Sequence, residues 1–285
     1  MLVYAPDLIT LEAVKRHRKL TAAQASDDAM LIDMIHRASA TFQREIRRAC
    51  APYYGVHVFD AVSPYCRLYT LDVGKAGFDL LEIETLTNGD GATISDAGVA
   101  LRTANLYPKW RVELKSSAGV TFTYNGDWQE AISLLGWWGY VPNYPTCWQD
   151  TGADVPAGDL SSSATTMTFA SEPIAALIET LAYLKIDDEV MQATARSGAV
   201  VTLRRAQLGT TAASHTAGTA ISAYQVLGDI ADAVREMVVY AYKAKDRVGG
   251  SVKVYEGGIV TIDDMDKLVA EAVLRHERKN MLVIR

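Results

Sequence analysis

The spacing of apolar residues changes twice along this chain of 285 residues, and that change constrains the fold more than any other feature. Within 1–50 and 226–285, apolar residues recur every three or four positions, which places them on one face of an α-helix. Between these ends they alternate with polar residues, as in a strand that buries one face. The chain is therefore predicted to be an α+β protein with helices at both ends and strands in the middle.

The N-terminal segment 1–50 is predicted to form a helical hairpin. Its first helix covers about 11–19 and is capped by Thr10, and its second helix follows the N-cap residue Ser26. The buried stripe of the second helix consists of Leu31, Ile35, Ala38, Phe42, Ile46 and Ala49. Pro52 stops that helix just after a basic turn, because positive charge is favourable at a helix C-terminus and proline cannot continue the helix.

The C-terminal segment 226–285 is predicted to add two more helices. The first begins at Asp229 and ends at a pair of glycines, and Thr261 with Asp264 resembles a capping box at the start of the second. The second helix runs into a basic cluster and a short apolar end at 281–285, which we interpret as part of an extended arm. We expect the two ends of the chain to combine into one helical bundle.

Two small β-rich modules are predicted between the second and third helices of this bundle. Residues 51–150 hold 16 of the 24 aromatic residues, including all five tryptophans, so this module is expected to have a core of its own. The polar stretch 150–159 is interpreted as a linker, and short strands with a short helix near Pro173 follow it in 151–225. The turn sequence at 88–91 predicts a hairpin in the first module.

The formal net charge of −6 is unevenly distributed. Residues 49–225 carry 18 Asp and Glu against 10 Lys and Arg, whereas the two helical ends are close to neutral. A protein that grips nucleic acid over a broad surface needs a large basic patch to neutralise phosphates. The acidic middle of the chain argues against that class of protein.

The composition also indicates where such a chain is made. Its start lacks a positively charged segment followed by a long apolar run, so no secretory signal is expected, and no stretch is apolar enough to predict a membrane span. Cys50, Cys66 and Cys147 lack paired spacing, which is typical of a protein made in a reducing compartment. We interpret them as buried or incidental thiols.

No motif in the sequence predicts catalysis, a metal site or a cofactor. The acidic run 187–189 with His215 could hold a metal, but it lacks the ligand spacing of calcium or zinc sites, and we favour an acidic turn between strands. The serines at 161–163 have no nucleophile-elbow setting. Glu82 and Glu84 share one face of a predicted strand, where exposed carboxylates are far commoner than a glycosidase pair.

The tryptophans allow two interpretations. Trp110, Trp128, Trp137, Trp138 and Trp148 could form a stacking platform for sugars or single-stranded bases, or they could fill the core of the first β module. We favour the core, because these residues lie in alternating strands that must bury one face.

Three stretches together resemble one family of phage proteins. The segment 9–17, followed by 27–38 and Phe42, resembles the N-terminal helical pair of the head-to-tail connector (adaptor) proteins of tailed bacteriophages. The segment 128–140, where an apolar strand ends in a turn of aromatic residues, glycine and tyrosine, is similar to a segment of phage connector-type proteins. The segment 186–221 resembles a small β module that recurs in phage structural proteins. The combination is more specific than any one of its parts.

The sequence departs from this family in two respects. The small β module usually has Arg-Gly where this chain has Arg205-Ala206. The two inserted β modules also make the chain longer than the minimal, all-helical connectors.

The resemblance implies a structural virion protein that is not an enzyme and needs no cofactor. It would be made in the host cytoplasm and built into the virion neck as a dodecameric ring beneath the portal protein. The ring would extend the channel through which double-stranded DNA passes without tight binding, and a tail-side stopper or tail terminator protein would attach to it. Since the minimal connectors lack the inserted β modules, we add a separate hypothesis, that these modules project outward from the ring and contact capsid protein or later tail components.

The resemblance also assigns roles to residues, because the C-terminal segment of these connectors is the part that reaches the portal. We expect an arm beginning near Leu274 to dock on an acidic portal surface through basic side chains and apolar anchors. The docking residues would be Arg275, Arg278, Lys279, Met281, Leu282, Ile284 and Arg285. Asp33 and Glu45 on the second helix are expected to face the channel and repel the DNA backbone.

A carbohydrate-binding or baseplate module is the alternative function. The tryptophan-rich β module would then bind the ligand, and the helices would serve assembly. An exposed row of tryptophans would favour this alternative, and buried tryptophans would count against it. A hydrolase ranks third, because no acid, base and nucleophile occur in a plausible arrangement.

Overall fold

The computed structural model describes residues 5–18, 25–245 and 267–278. The described residues divide into two compact units. The first unit comprises the residues up to Cys50 together with those from Cys147 onward, and the second is the continuous segment Ala51–Thr146. The second unit is therefore an insertion in the chain of the first.

The predicted α+β fold, a helical bundle with β modules inserted in it, is wrong. Three antiparallel sheets of four, four and six strands dominate the structure, with 31% strand and 28% helix, and the five helices of the described residues are short. The difference arises because two segments without clear alternation are strands of the largest sheet. One of them, Trp148–Asp154, overlaps the predicted linker, and the other is Ala220–Tyr224.

The inserted unit consists of two four-stranded antiparallel sheets that share one core. Its strands are β1 (Tyr53–Phe59), β2 (Cys66–Arg67), β3 (Thr70–Leu71), β4 (Leu80–Thr87), β5 (Thr93–Ile94), β6 (Val99–Arg102), β7 (Arg111–Leu114) and β8 (Ile132–Trp138). The sheets have the orders β1-β8-β4-β5 and β2-β3-β7-β6. Both contribute to one buried cluster, which includes Leu71, Val112, Ile132 and Trp138.

Strand β8 is an inner strand of its sheet, and its residues alternate strictly between buried and half-buried. It pairs with β1 on one side and β4 on the other, and Gly136 lies opposite Gly55 and Ile83. Only glycine fits at 136, since a Cβ there would lie 2.1 Å from the carbonyl oxygen of Glu82. The close approach of β4 therefore depends on this one position.

The predicted turn at 88–91 is confirmed, and the alternating residues 120–124 that follow in this unit form no strand. The N–H of Gly91 donates to the carbonyl oxygen of Asn88 at 2.9 Å, and Gly91 has a φ of 85°, which glycine adopts without strain. Residues 120–124 are irregular and make a single bridge, between Tyr124 and Gly89. The alternation there reflects burial of Phe122 rather than sheet pairing.

The first unit contains the six-stranded antiparallel sheet. Its strands are β9 (Trp148–Asp154), β10 (Thr166–Thr168), β11 (Tyr183–Ile186), β12 (Glu189–Ser197), β13 (Val200–Arg204) and β14 (Ala220–Tyr224), in the order β10-β13-β12-β11-β14-β9. One face packs on a core that includes Met167, Phe169, Leu184 and Ile221. The centre of the sheet is thus formed by β11, β12 and β13, which lie in the segment 151–225 where short strands are predicted.

The helices also belong to the first unit. They are α1 (Leu11–Arg18), α2 (Asp28–Ile46), α3 (Glu172–Ala175), α4 (Gly228–Lys245) and α5 (Lys267–His276). The Thr10 hydroxyl accepts a hydrogen bond from the N–H of Ala13 at 3.2 Å, so its capping role is confirmed. Arg47, with a φ of 57°, ends α2 before the predicted stop at Pro52.

Helices α4 and α5 pack against α2. The Tyr242 hydroxyl near the end of α4 donates to Asp27 at the start of α2, at 2.6 Å, so the two helices run antiparallel. The predicted apolar stripe of α2 is buried, and so are Ile230, Val234 and Val238 of α4. The predicted capping box at Thr261 and Asp264 lies outside the described residues.

The chain leaves the first unit at Cys50 and returns to it at Cys147. The Tyr224 hydroxyl donates to the carbonyl oxygen of Cys50 at 2.6 Å, and the N–H of Gln225 donates to the carbonyl oxygen of Cys147 at 2.7 Å. Both points are therefore held by neighbouring residues at the end of β14.

Candidate functional site

Two basic segments that are distant in sequence meet at one end of the helices. The backbone N–H of Arg278, just after α5, donates to the carbonyl oxygen of Ile46, the last residue of α2, at 3.0 Å. This contact places the basic last turn of α2 beside the basic end of α5. We call the resulting surface the basic helix end. It consists of Arg44, Arg47, Arg48, Arg275, His276 and Arg278.

Asp229, in the first turn of α4, fixes the end of α5. Its Oδ2 atom accepts hydrogen bonds from Arg275 Nη1 at 2.9 Å and from His276 Nε2 at 2.8 Å. Burial alone would raise the pKa of Asp229, but the hydrogen bond and charge of His276, together with Arg275, hold that pKa below its usual value. The carboxylate is also favourably placed at the N-terminus of α4.

The basic helix end retains net positive charge at its surface. Arg44, Arg47 and Arg275 are exposed, and the acids of this region are Asp229, Glu45 and Glu277. Five arginines therefore stand against these three carboxylates. A surface of this kind can bind an acidic protein surface, because exposed arginines steer and orient a negatively charged partner.

The structure describes two of the seven predicted docking residues. Arg275 lies in the last turn of α5, and Arg278 follows that helix directly. Leu274 is helical and exposed, so an extended arm can begin only after His276, later in the chain than predicted. The other five, Lys279, Met281, Leu282, Ile284 and Arg285, lie outside the described residues.

The two acids that were expected to face a DNA channel both lie beside arginines of α2. Asp33 forms an ion pair with Arg37 one turn later, and Glu45 lies 4.0 Å from Arg44. Each carboxylate is thus largely compensated by its neighbour. By themselves they do not create an acidic surface.

The acidic run 187–189 and His215 come together inside the first unit. His215 is buried, with Nδ1 2.7 Å from Asp187 Oδ2 and Nε2 3.0 Å from Glu189 Oε2. Arg205 completes the network by binding Glu189 and the carbonyl oxygens of Ser161, Ala164 and Ala213. These buried polar groups satisfy one another, so the network holds three loops together. The described residues contain no cluster suited to a metal ion.

The tryptophans do not form one exposed row. Trp138 is fully buried and donates from Nε1 to the carbonyl oxygen of Gly55 at 3.0 Å, and the Arg111 guanidinium covers Trp110 at 4.1 Å. Trp137 packs beside Tyr54, Trp148 belongs to the other unit, and Trp128 is exposed. This arrangement counts against a stacking platform.

Glu82 and Glu84 each accept one hydrogen bond from a tyrosine on the outer face of their sheet. The Tyr144 hydroxyl donates to Glu82 at 2.9 Å, and the Tyr54 hydroxyl donates to Glu84 at 2.8 Å. These tyrosines were missed in the sequence, because their distance from the acids along the chain gives no signal. Both carboxylates remain exposed on the sheet.

One cleft of 310 Å³ opens in the first unit beside α1. Its polar lining includes Arg16, Glu179 and Arg235. Arg16 forms an ion pair with Glu179, which also accepts a hydrogen bond from Thr10. Arg235 lies beside Asp232 of the same helix, so each of these three charged side chains has a partner of opposite charge.

No helix within the described ranges is both long and apolar enough to cross a membrane. Comparison of the chain with protein-family models, with curated proteins and with solved structures finds no match.

Proposed function

We propose that this protein is a head-to-tail connector (adaptor) of a tailed bacteriophage, a structural virion protein that forms a ring beneath the portal protein. The observation that carries the proposal is the hydrogen bond between Arg278 and Ile46. It joins the basic ends of α2 and α5 into one surface, at the point where residues 279–285 begin. The surface and the following segment together suit an acidic partner.

The basic helix end and the C-terminal segment have complementary roles in this proposal. Arg44, Arg47 and Arg275 attract and orient the acidic portal surface. Lys279 and Arg285 extend the charge, and the apolar side chains between them, Met281, Leu282 and Ile284, provide anchors that lose contact with water on docking.

The remaining partners follow from the position of the ring. Neighbouring copies form a dodecamer, the tail side receives a stopper or tail terminator protein, and capsid protein lies nearby. DNA passes through without tight binding, since the net charge of −6 repels phosphates over long range. Asp33 and Glu45 add little to this repulsion, because both lie beside arginines.

Electron-microscopic imaging of portal-bearing particles mixed with the purified chain tests the proposal. We expect a ring coaxial with the portal. A chain that ends at Arg278 keeps α5 and its contact with Ile46, yet it should bind portal at least about tenfold more weakly, which corresponds to about 1.4 kcal/mol.

A matched pair of substitutions tests the role of the basic helix end. The double variant Arg44→Gln/Arg47→Gln should weaken portal binding at low salt, and the difference from wild type should shrink as salt is added. Arg37→Gln removes the same kind of charge from the middle of α2 and should leave binding unchanged. Portal particles without a ring, or equal binding by all variants, would show that the proposal is wrong.

A further inference from the structure

The turn between β2 and β3 presents two apolar side chains to solvent. Leu68 is 64% exposed and Tyr69 is 48% exposed, whereas two-residue hairpin turns normally carry Asn, Asp or Gly. The carbonyl oxygen of Leu68 accepts the N–H of Phe122 at 2.8 Å, and that of Tyr69 accepts the N–H of Leu114 at 2.9 Å. The turn is therefore held rigidly, and Arg67 beside it is also exposed. We call Arg67, Leu68 and Tyr69 the apolar knob.

A second exposed surface lies on the other sheet of the same unit. Val56 and Val58 of β1 are 56% and 45% exposed. Apolar side chains grouped on an exposed sheet face are typical of a surface that another protein covers. Glu82 and Glu84 of β4 add two carboxylates, and their tyrosine partners leave both negative charges in place. We call Val56, Val58, Glu82 and Glu84 the acidic sheet face.

The register shows that the acidic sheet face points away from the apolar knob. Tyr54, Trp137 and Glu82 lie opposite one another, so they project from one side of the sheet, together with Val56 and Val58. The next row, which contains Ile83, projects to the other side and packs on the core shared with β2, β3 and β7. The two surfaces therefore cannot meet within one copy of the unit.

We infer that the apolar knob of one copy docks on the acidic sheet face of the next copy in the ring. Leu68 and Tyr69 match the exposed valines of β1 in character, and Arg67 matches the two carboxylates in charge. A contact between two different surfaces repeats from copy to copy, and such head-to-tail contacts form a ring when the rotation between neighbours closes on itself. The inference rests on the proposed connector function, because it names the neighbour contact that a connector ring requires.

Charge reversal on each side of the contact tests the inference. Arg67→Glu puts a negative charge against the acidic sheet face, and Glu82→Lys/Glu84→Lys puts positive charge against Arg67. Each variant alone should lower the assembled fraction at least tenfold, both in sedimentation of the concentrated chain and in ring formation on portal particles. Asp127→Lys changes an exposed charge elsewhere on the unit and should assemble like wild type.

Mixing the two defective variants provides the decisive measurement. In an alternating assembly every contact again pairs opposite charges, so an equimolar mixture should recover most of the wild-type assembly. A folding defect in either variant would not be repaired in this way. Leu68→Ser should also reduce assembly. Mixing it with either charge-reversal variant should not rescue assembly, because every second contact lacks the leucine and a contact between like charges remains.

The outcomes separate this inference from the proposed function. Charge-dependent self-association without portal binding supports the neighbour contact and contradicts the connector proposal. If the chain binds portal and all three variants form rings as well as wild type does, the inference is overturned and the proposed function is not. It is overturned as well if wild type never self-associates, or if the variants change only attachment to capsids, since another virion protein then occupies the face.

Discussion

Arg205 and Glu189 form a bidentate ion pair in the first unit, with Nε 2.7 Å from Oε1 and Nη2 2.6 Å from Oε2. Both side chains are buried, and Glu189 also binds the backbone N–H groups of Ala206 and Ala213. The pair therefore holds the loop after β13 against the start of β12.

Removal of the negative charge should destabilise the first unit. Glu189→Gln leaves the Arg205 guanidinium buried without its counter-charge, so we expect the free energy of unfolding to fall by about 3 kcal/mol. Urea unfolding monitored by circular dichroism measures the change. Asp187→Asn alters the exposed partner of His215 and should cost less than about 1 kcal/mol. Equal effects of the two variants would contradict the prediction.

The same carboxylate should make stability depend on acid. Burial alone would raise the pKa of Glu189, but hydrogen bonds from Arg205, Ala213 and His215 lower it from 4.5 to about 2. A lowered pKa stabilises the folded state fully above pH 4.5, and this contribution is lost as the pH falls toward 2. The loss amounts to about 3 kcal/mol. Unfolding of wild type and Glu189→Gln across this range should show the two stabilities converging toward low pH.

Ala206 is expected to be a site where glycine stabilises the protein. Its φ of 53° lies in the left-handed region, which costs a residue with a Cβ about 1 kcal/mol. Ala206→Gly should raise the free energy of unfolding by only about 0.5 kcal/mol, because glycine relieves this strain but loses more entropy on folding than alanine does. Gly198, with a φ of 56° and open space around it, provides the reverse test. Gly198→Ala should lower stability, and a gain there would show that φ does not govern these positions.

Gly136 should not tolerate a methyl group. Gly136→Ala places a Cβ 2.1 Å from the Glu82 carbonyl oxygen, so β4 and β8 must separate, at a cost of about 3 kcal/mol. Gly55 lies opposite it in β1 and has open space, and Gly55→Ala should be neutral or slightly stabilising. Tryptophan fluorescence during thermal unfolding reports on this unit through Trp138. Similar transition temperatures for both variants would argue against the close contact.

The three cysteines should be unreactive in the folded protein. All three are buried thiols, and burial raises the pKa of Cys66 to about 11 and that of Cys147 to about 12. Since the thiolate is the reactive form, a disulfide reagent at pH 8 should label them slowly until the chain unfolds. Ser117→Cys supplies an exposed thiol as a control for reagent activity. Rapid labelling of native wild type would contradict this expectation.

Helix α2 and strand β4 could be predicted because their sequence pattern and their burial agree. The apolar residues from Leu31 to Ile46 repeat at helical spacing, and this stripe is buried. In β4, Glu82 and Glu84 are exposed and alternate with apolar residues that are buried or half-buried.

Strands β9 and β14 could not be predicted in this way. Strand β9 lies at the sheet edge, where Gln149, Asp150 and Gly152 remain compatible with solvent, and its pairing with β14 shifts register between Ala220 and Ser222. An exposed edge with a bulge has no need of alternating apolar residues. Because the composition of β9 and β14 is typical of turns, neither strand was predicted. The strand content of the fold was therefore underestimated relative to its helix content.

The candidate site was also predictable only in part. The basic turn of α2 and the basic cluster at the end of α5 are both visible in the sequence, but their meeting depends on a backbone hydrogen bond between Arg278 and Ile46. A backbone hydrogen bond between distant residues cannot be predicted from residue type, because nearly every residue carries the same backbone groups. The apolar knob was missed as well, because Leu68 and Tyr69 are not residues that normally indicate a hairpin turn.

The fastening of Cys50 and Cys147 to neighbouring residues at the end of β14 has an evolutionary consequence. The stretch between them can be exchanged for another domain, or for a short loop, without moving the anchor points of the scaffold. Relatives of such a protein could thus diverge by acquiring or losing whole cassettes at this junction, while their helices and six-stranded sheet stay the same. Binding surfaces carried by the cassette would then evolve under selection separate from that on the scaffold.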